Sequence, residues 1–290
     1  MKIKTHHCLL LLFFCLFNCK ENHKRDSQEI NRFSQLLDRK QLSKPAIMVH
    51  RGRLNDSWPE NAIASFDEIN QLSEGLIIEL DVRKTKDGTY VLLHDETLDR
   101  TTIGSGLLSE KTFDEVSQLQ LISNSGDTTN YKIPKFEEAL KWSRSKNILA
   151  IDAKLGCEVK DITSLINEMD IADNCFVICY SIEDAKHYNE LNPNLVLALG
   201  FNSWEELANI KKSGLPLKNL LALTPTSLQK EKFYDEIRKL GIDIAYGTYK
   251  TIDYKDFETV KNIYKQYFQK FDIITTDRAK SVYLLSTEKE

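Results

Sequence analysis

"AIMVHRGRLNDSWPENAIASFDEINQLSEGLIIELDV" spans residues 46–82 and reads as a strand, a helix and a second strand. Two apolar runs, "AIMVH" (46–50) and "LIIELDV" (76–82), flank the amphipathic "SFDEINQLS". Parallel strands need a crossover of this kind. The unit recurs along the chain. Further runs are "ILAID" (148–152), "FVICY" (176–180), "LVLAL" (195–199), "LLAL" (220–223), "IDIAY" (242–246) and "DIITT" (272–276), eight in all. Helical patterns such as "KFEEALKWSRSK", "SWEELANIKK" and "SLQKEKFYDEIRKLG" lie between them. Residues 45–290 come close to the ~250 residues of a (β/α)8 barrel. The spacing therefore predicts an α/β fold of the TIM-barrel type; a doubly wound open sheet has the same alternation. A ninth run, "TYVLLH" (89–94), falls between the second and third and follows the turn signal Lys86-Asp87-Gly88.

The 290 residues suffice for one large α/β domain. A hydrophobic share of 41% and a charged share of 28% belong to a soluble globular protein. The net charge of −4 lacks the basic footprint of nucleic-acid binding.

The N-terminus reads separately. Lys2 and Lys4 precede "CLLLLFFCLF" (8–17), too short to span a bilayer but the right length for a signal-peptide core. It ends in "LFNC" (16–19), which resembles a bacterial lipobox, where cleavage leaves a lipidated cysteine, here Cys19. Asn18 departs from the usual small residue, and an ordinary secreted protein is the alternative. Removing residues 1–18 takes away two lysines and no acid, bringing the net charge from −4 to −6. Residues 19–44 read as a polar tether with a weak helical pattern near Ile30 to Leu37. The expected location is outside the cytoplasm, on a membrane anchor facing the periplasm or cell surface, or secreted if Cys19 carries no lipid. Of the remaining cysteines, Cys175 and Cys179 share one strand-like run. Four residues of strand separate them by about 13 Å, beyond disulfide reach. They are expected to be buried small hydrophobes.

In a barrel the active site lies at the carboxyl ends of the strands. The first strand ends in His50 and Arg51. On the second, Glu79 and Asp81 alternate with Leu80 and so share a face. The extra run ends in His94-Asp95, and the third strand in Asp152 followed by Lys154. Carboxylates gathered in a barrel mouth repel unless a cation intervenes, and an all-oxygen set suits Mg²⁺ or Ca²⁺.

At these residues the chain resembles the glycerophosphodiester phosphodiesterase family. The likeness is carried by "HRG" with "PENAIASF", "ELDVRKTKDGTYVLLHDETLDRTTIGSG", "IPKFEEAL", "AIDAK" and the closing "DIITTD", in order across residues 46–277. It implies a (β/α)8 barrel with a short insertion after the second strand, here about residues 84–133. It also implies cleavage of glycerophosphodiesters to an alcohol and glycerol 3-phosphate with a divalent cation. His50 and His94 align with the catalytic pair, Glu79 and Asp81 with two metal ligands, Arg51 with the phosphate-contacting arginine, and Lys154 with the lysine after the third ligand. Glu60 and Asn61 fall on the Pro-Glu-Asn motif, as supports for the metal or the first histidine or simply as a helix-entry turn. Two positions depart. Asp152 stands where the family usually has Glu; the related sphingomyelinase D-type barrels carry Asp at that position. "AYGTY", with Tyr246, Thr248 and Tyr249, replaces a frequent Trp-Thr. A sphingomyelinase D-like or lysolipid phosphodiesterase would share the whole rim, and a lipoprotein that binds phosphodiesters without cleaving them is a third reading. The expected partner is a small-molecule diester, with no nucleic acid and no membrane contact beyond the N-terminal lipid.

Metabolic labelling with palmitate should mark the protein, and Cys19→Ala should abolish the label. A mature N-terminus elsewhere, located by mass spectrometry, would remove the lipobox assignment.

Overall fold

A computed structural model describes residues 32–39 and 45–288; Cys19 and the expected signal segment lie outside them. Eight parallel strands form the barrel: β1 (Ala46–Val49), β2 (Leu76–Lys84), β6 (Leu149–Ala153), β7 (Cys175–Cys179), β8 (Val196–Gly200), β9 (Leu220–Thr224), β10 (Asp243–Gly247) and β11 (Ile273–Thr276). Their order follows the chain, and β1 pairs with both β2 and β11. That closes the sheet and excludes the open doubly wound alternative. Eight helices pack outside: α2 (Ile63–Leu72), α4 (Phe136–Ser143), α5 (Val159–Glu168), α6 (Ile182–Leu191), α7 (Trp204–Lys212), α8 (Glu231–Arg238), α9 (Phe257–Phe268) and α10 (Ala279–Thr287).

The insertion lies between β2 and α4. It begins with β3 (Tyr90–Leu92), antiparallel to the overhanging end of β2, in register Val82 with Leu92. It continues through the short helix α3 (Phe113–Val116) and a hairpin of β4 (Gln120–Ile122) and β5 (Thr128–Lys132). Val91, Leu93, Leu98, Leu108, Val116, Leu121 and Ile133 give it a small core of its own.

Strand alternation sorts the barrel into layers. Ile47, Val49, Ile78, Leu80 and Val82 face the helices and join Phe66 and Ile69 in the main core. Ala46, Met48, Ile77, Ala150, Phe176, Ala198 and Ala245 face inward. The alanines are too small to fill the lower barrel. The helix α1 (Arg32–Arg39) supplies the missing volume: Phe33, Leu36 and Leu37 are buried among these residues, and Phe33 meets Phe176 edge-on at 5.7 Å. Ser34 donates a 2.7 Å hydrogen bond to Asp243 at the start of β10.

This helix falls on the weak helical pattern near Ile30 to Leu37 within the polar stretch 19–44. The segment is polar on average, but Phe33, Leu36 and Leu37 stand at helical spacing and make one narrow apolar stripe. A stripe of that kind needs a surface to meet, and the floor of the barrel provides it. Cys175 and Cys179 are buried and unbridged, as expected of small hydrophobes.

Phe33→Ala should lower the free energy of unfolding by about 3 kcal/mol, the usual cost of emptying a buried phenylalanine site. Chemical denaturation measures it; an unchanged midpoint would mean that α1 adds nothing to the barrel.

Candidate active site

Above the apolar floor the same inward positions turn acidic. On β2, Ile77 is followed by Glu79 and Asp81; on β6, Ala150 is followed by Asp152, which lies beside Asp81 in register. One carboxylate oxygen from each of Glu79, Asp81 and Asp152 lies within 4.8 Å of the others. The shorter Asp152 therefore still joins the group. The Lys154 ammonium stands between Asp81 Oδ1, at 2.7 Å, and Asp152 Oδ2, at 2.5 Å. Tyr180 donates its hydroxyl to Asp152 Oδ1 at 2.5 Å.

Three carboxylates against one ammonium leave the cluster short of positive charge. Burial, then Asp81 and Asp152, push the Glu79 carboxyl well above its ordinary range. Burial works on Asp81 in the same sense, but Lys154 holds it below its usual value. Burial alone would depress Lys154; Asp81 and Asp152 reverse that and keep it charged. This donor set fits a hard divalent cation in ligand type, number and unspent charge.

The loop after β1 wraps the cluster. Arg51 and Gly52 both have positive φ, 54° and 56°. A Cβ on Gly52 would meet the Phe66 ring at 2.1 Å, so only glycine fits there. The Arg51 conformation costs about 1 kcal/mol for a side-chain-bearing residue. It turns the Arg51 N–H onto Glu79 Oε2 at 2.5 Å. Asn61, also at positive φ, grips Asp81 twice: its Nδ2 donates to Asp81 Oδ2 at 2.7 Å, and its Oδ1 accepts from the Asp81 N–H at 2.9 Å. Glu60, the other half of the Pro-Glu-Asn motif, touches neither the carboxylate cluster nor a histidine. It accepts from Arg51 at 3.3 Å and from Arg100 at 2.7 and 2.9 Å.

Both histidines are held by a carboxylate. His50 Nδ1 lies 2.9 Å from Asp277 Oδ1, and its ring stacks on Tyr249 at 4.1 Å. His94 Nδ1 lies 2.7 Å from Asp95 Oδ1. Arg51 contacts His94 Nε2 at 3.0 Å. A guanidinium only donates, so His94 Nε2 is the acceptor and Nδ1 carries the proton toward Asp95. Arg100 hydrogen bonds hold Asp95 far below the usual carboxylate range. Asp277 is half-buried, which raises it, yet it too stays low beside His50 and Arg53. Its backbone is fixed by buried Asp253, which accepts from the Asp277 N–H at 2.7 Å and from Thr276 Oγ1 at 2.8 Å.

The fold thus gathers His50, Arg51, Glu60, Asn61, Glu79, Asp81, His94, Asp152 and Lys154 at one rim. Of the "AYGTY" residues, only Tyr249 reaches it. Tyr246 faces the helices, stacked on Phe271 at 4.5 Å, and Thr248 bonds to the Thr275 carbonyl. Sequence reading left Asp95, Arg100, Asp277, Asp253 and Tyr180 without roles. Asp277 was within reach of strand alternation, two residues beyond inward-facing Thr275 and four beyond Ile273. Arg100 and Asp253 sit on loops, where no period applies.

A TIM-type barrel whose mouth combines three carboxylates, two carboxylate-backed histidines, an arginine and a lysine is equipped for phosphate-ester chemistry. The profile of the Glycerophosphoryl diester phosphodiesterase family matches residues 50–239, and the chain belongs to that family, whose members are phosphoric diester hydrolases. YhdW of Bacillus subtilis is 28% identical over 239 residues, 73% of this chain and 95% of its own length. The crystal structure of a glycerophosphoryl diester phosphodiesterase from Parabacteroides distasonis superposes with a TM-score of 0.79 at 27% identity, covering 88% of this chain and 92% of that one. A phosphodiesterase of Oleispira antarctica, solved with the product sn-glycerol-3-phosphate, shares the fold at a TM-score of 0.65 and 17% identity, over 84% of this chain and 98% of that one.

Asn61→Ala should cost about 2 kcal/mol of stability, because it strips both hydrogen bonds from a buried carboxylate and its N–H. Urea titration reads this; a loss below a few tenths of a kcal/mol would mean that Asn61 does not support Asp81.

Proposed function

We propose that the protein hydrolyses glycerophosphodiesters to glycerol 3-phosphate and an alcohol. In this reading His50 and His94 act as acid and base, and Glu79, Asp81 and Asp152 hold a divalent cation, Mg²⁺ or Ca²⁺. The observation that carries the reading is the pair of histidines, each backed at Nδ1 by an ionised carboxylate, on the rim that holds the carboxylate cluster. The Oleispira antarctica structure supports the substrate class through its bound product.

A bound divalent cation would supply Lewis-acid charge to a non-bridging phosphate oxygen. The chain's own groups do the rest. Arg51 can meet phosphate with two parallel donors, and its Nε is buried without a partner. Lys154 adds a fixed positive charge beside the cluster. His94 has Nε2 unprotonated, and once the Arg51 guanidinium turns from that nitrogen to the phosphate its lone pair is free to take a proton from the attacking hydroxyl, whether that belongs to the glycerol or to water. His50 then protonates the leaving alkoxide, with Asp277 offsetting the charge of its protonated form. Tyr249 covers one face of the His50 ring and limits its tilt.

Leu155 and Tyr180, 95% and 63% exposed, lie next to the site, which justifies testing a lysolipid too. The experiment is a panel of glycerophosphodiesters, a lysolipid and sphingomyelin, each with Mg²⁺, Ca²⁺ or chelator. His50→Ala and His94→Ala should each lower turnover about 10²–10⁴-fold, with thermal unfolding little changed. Asp152→Ala and Asp152→Asn should raise the cation concentration needed for half activity. Affinity for the cation should also increase with pH, because the ion must displace the proton that Glu79 retains above the ordinary carboxylate range. Near-normal turnover in both histidine variants would refute the acid–base assignment. An unshifted cation midpoint would take Asp152 out of the metal site.

A further inference from the structure

Five side chains close a ring beside the carboxylate cluster. Arg51 Nη2 donates to His94 Nε2 at 3.0 Å, and His94 Nδ1 meets Asp95 Oδ1 at 2.7 Å. Arg100 grips Asp95 with Nε and Nη2, at 2.6 and 2.9 Å. The same guanidinium grips Glu60 with Nη1 and Nη2, at 2.9 and 2.7 Å. Glu60 returns to Arg51, whose Nη1 lies 3.3 and 3.5 Å from its two oxygens. One branch of the ring ends on the arginine that can meet phosphate, the other on a histidine of the rim. Arg100 stands where the two branches join.

The distances tell the fixed members of the ring from the loose one. Arg100 makes four hydrogen bonds of normal length to two carboxylates, a forked geometry that sets direction as well as distance. Its backbone is held too. Thr102 donates to the Leu98 carbonyl through both its N–H and its hydroxyl, and the Ile122 N–H donates to the Thr101 carbonyl. Leu98 itself is buried in the core of the insertion. Glu60 is 7% exposed, so it has little room to move. Arg51 is the loose member. Its bonds to Glu60 are long, and its Nε is buried without a partner.

We propose that Arg100 is a positioning residue that sets the phosphate-binding arginine and the general base relative to each other. It acts on Arg51 through Glu60 and on His94 through Asp95, and bonds to neither directly. The assignment rests on the hydrolysis proposed above. As the Arg51 guanidinium turns from His94 to the phosphate, Glu60 remains its pivot and Asp95 keeps the His94 ring in line. Arg100 gives both groups one fixed point. A lysine could not do the same, because a single ammonium cannot present paired donors to each of two carboxylates.

Steady-state kinetics on glycerophosphocholine tests it. Arg100→Ala should lower kcat/KM about 10²-fold, the usual cost of misplacing reacting groups by about 1 Å, through both a lower kcat and a higher KM. The Arg100 side chain is 42% exposed, so guanidinium ion added to the assay can enter the gap it leaves. Millimolar guanidinium should restore much of the loss, and sodium chloride at the same ionic strength none of it. Arg100→Lys should unfold at the wild-type temperature yet stay well below wild type in kcat/KM. Cutting one branch at a time should separate the two effects: Glu60→Gln should act mainly on KM, Asp95→Asn mainly on kcat. A loss that guanidinium does not relieve, wild-type kinetics in Arg100→Lys, or parallel changes in the two single-branch variants would mean that Arg100 only pins the insertion to the barrel. Should Arg100→Ala fail to fold, the other three variants decide. Failure of the wild-type chain to cleave any glycerophosphodiester would instead overturn the hydrolysis.

Discussion

Mutual repulsion among Glu79, Asp81 and Asp152 is the constraint to which the upper half of the barrel answers. Three acids brought within 4.8 Å inside a closed sheet cannot all stay ionised without help. Lys154 is drawn between two of them, Asn61 clamps the most buried one, and the Arg51 backbone bends into the left-handed region to give Glu79 a donor. Each of these is a local cost or restriction, accepted because the alternative is an unpaired buried charge. The charge still unmet is the property an oxygen-seeking cation would use. The cluster is a poor contributor to stability and a good receptor, as expected of a functional site.

The two histidines show how one chemical requirement is met twice from unrelated parts of the chain. His50 takes its carboxylate from Asp277, more than two hundred residues away, because β1 and β11 are neighbours where the barrel closes. His94 takes its carboxylate from the next residue, Asp95, on the insertion. The first pairing depends on closure of the whole fold, the second only on the loop, with Arg100 bridging Asp95 to Glu60. The insertion therefore helps to build the rim and is not an ornament on it.

Much of this was legible in the chain. The eight strands stand within a residue or two of their apolar runs, because parallel strands buried on both faces write themselves as short continuous hydrophobic segments. The alternation that puts Ile77, Glu79 and Asp81 on one side is visible in "LIIELDV" and is what the structure shows. Helix α1 showed only as a weak helical pattern, because three apolar residues in a polar stretch say nothing of what they pack on until the concave floor that receives them is known. The partners of the histidines were hidden differently. Asp95 is the neighbour of His94 in the chain and Asp277 continues the inward face of β11, but nothing in the sequence says that either turns to a histidine; for Asp277 that takes closure of the barrel, for Asp95 the shape of the insertion. Glu60 illustrates the limit of a motif: its neighbour Asn61 serves the carboxylate cluster, while Glu60 itself serves two arginines.

The plug formed by α1 gives the molecule two poles. Its contacts are with the start of β10 and with the inward residues at the foot of the strands, while every charged group of the site stands at the other end. Residue 32 therefore marks the underside, and any chain that precedes it joins there. The floor and the site are thus built from different parts of the chain and can be altered separately: a change in α1 should be felt first as a loss of stability, one at the rim first as a loss of chemistry.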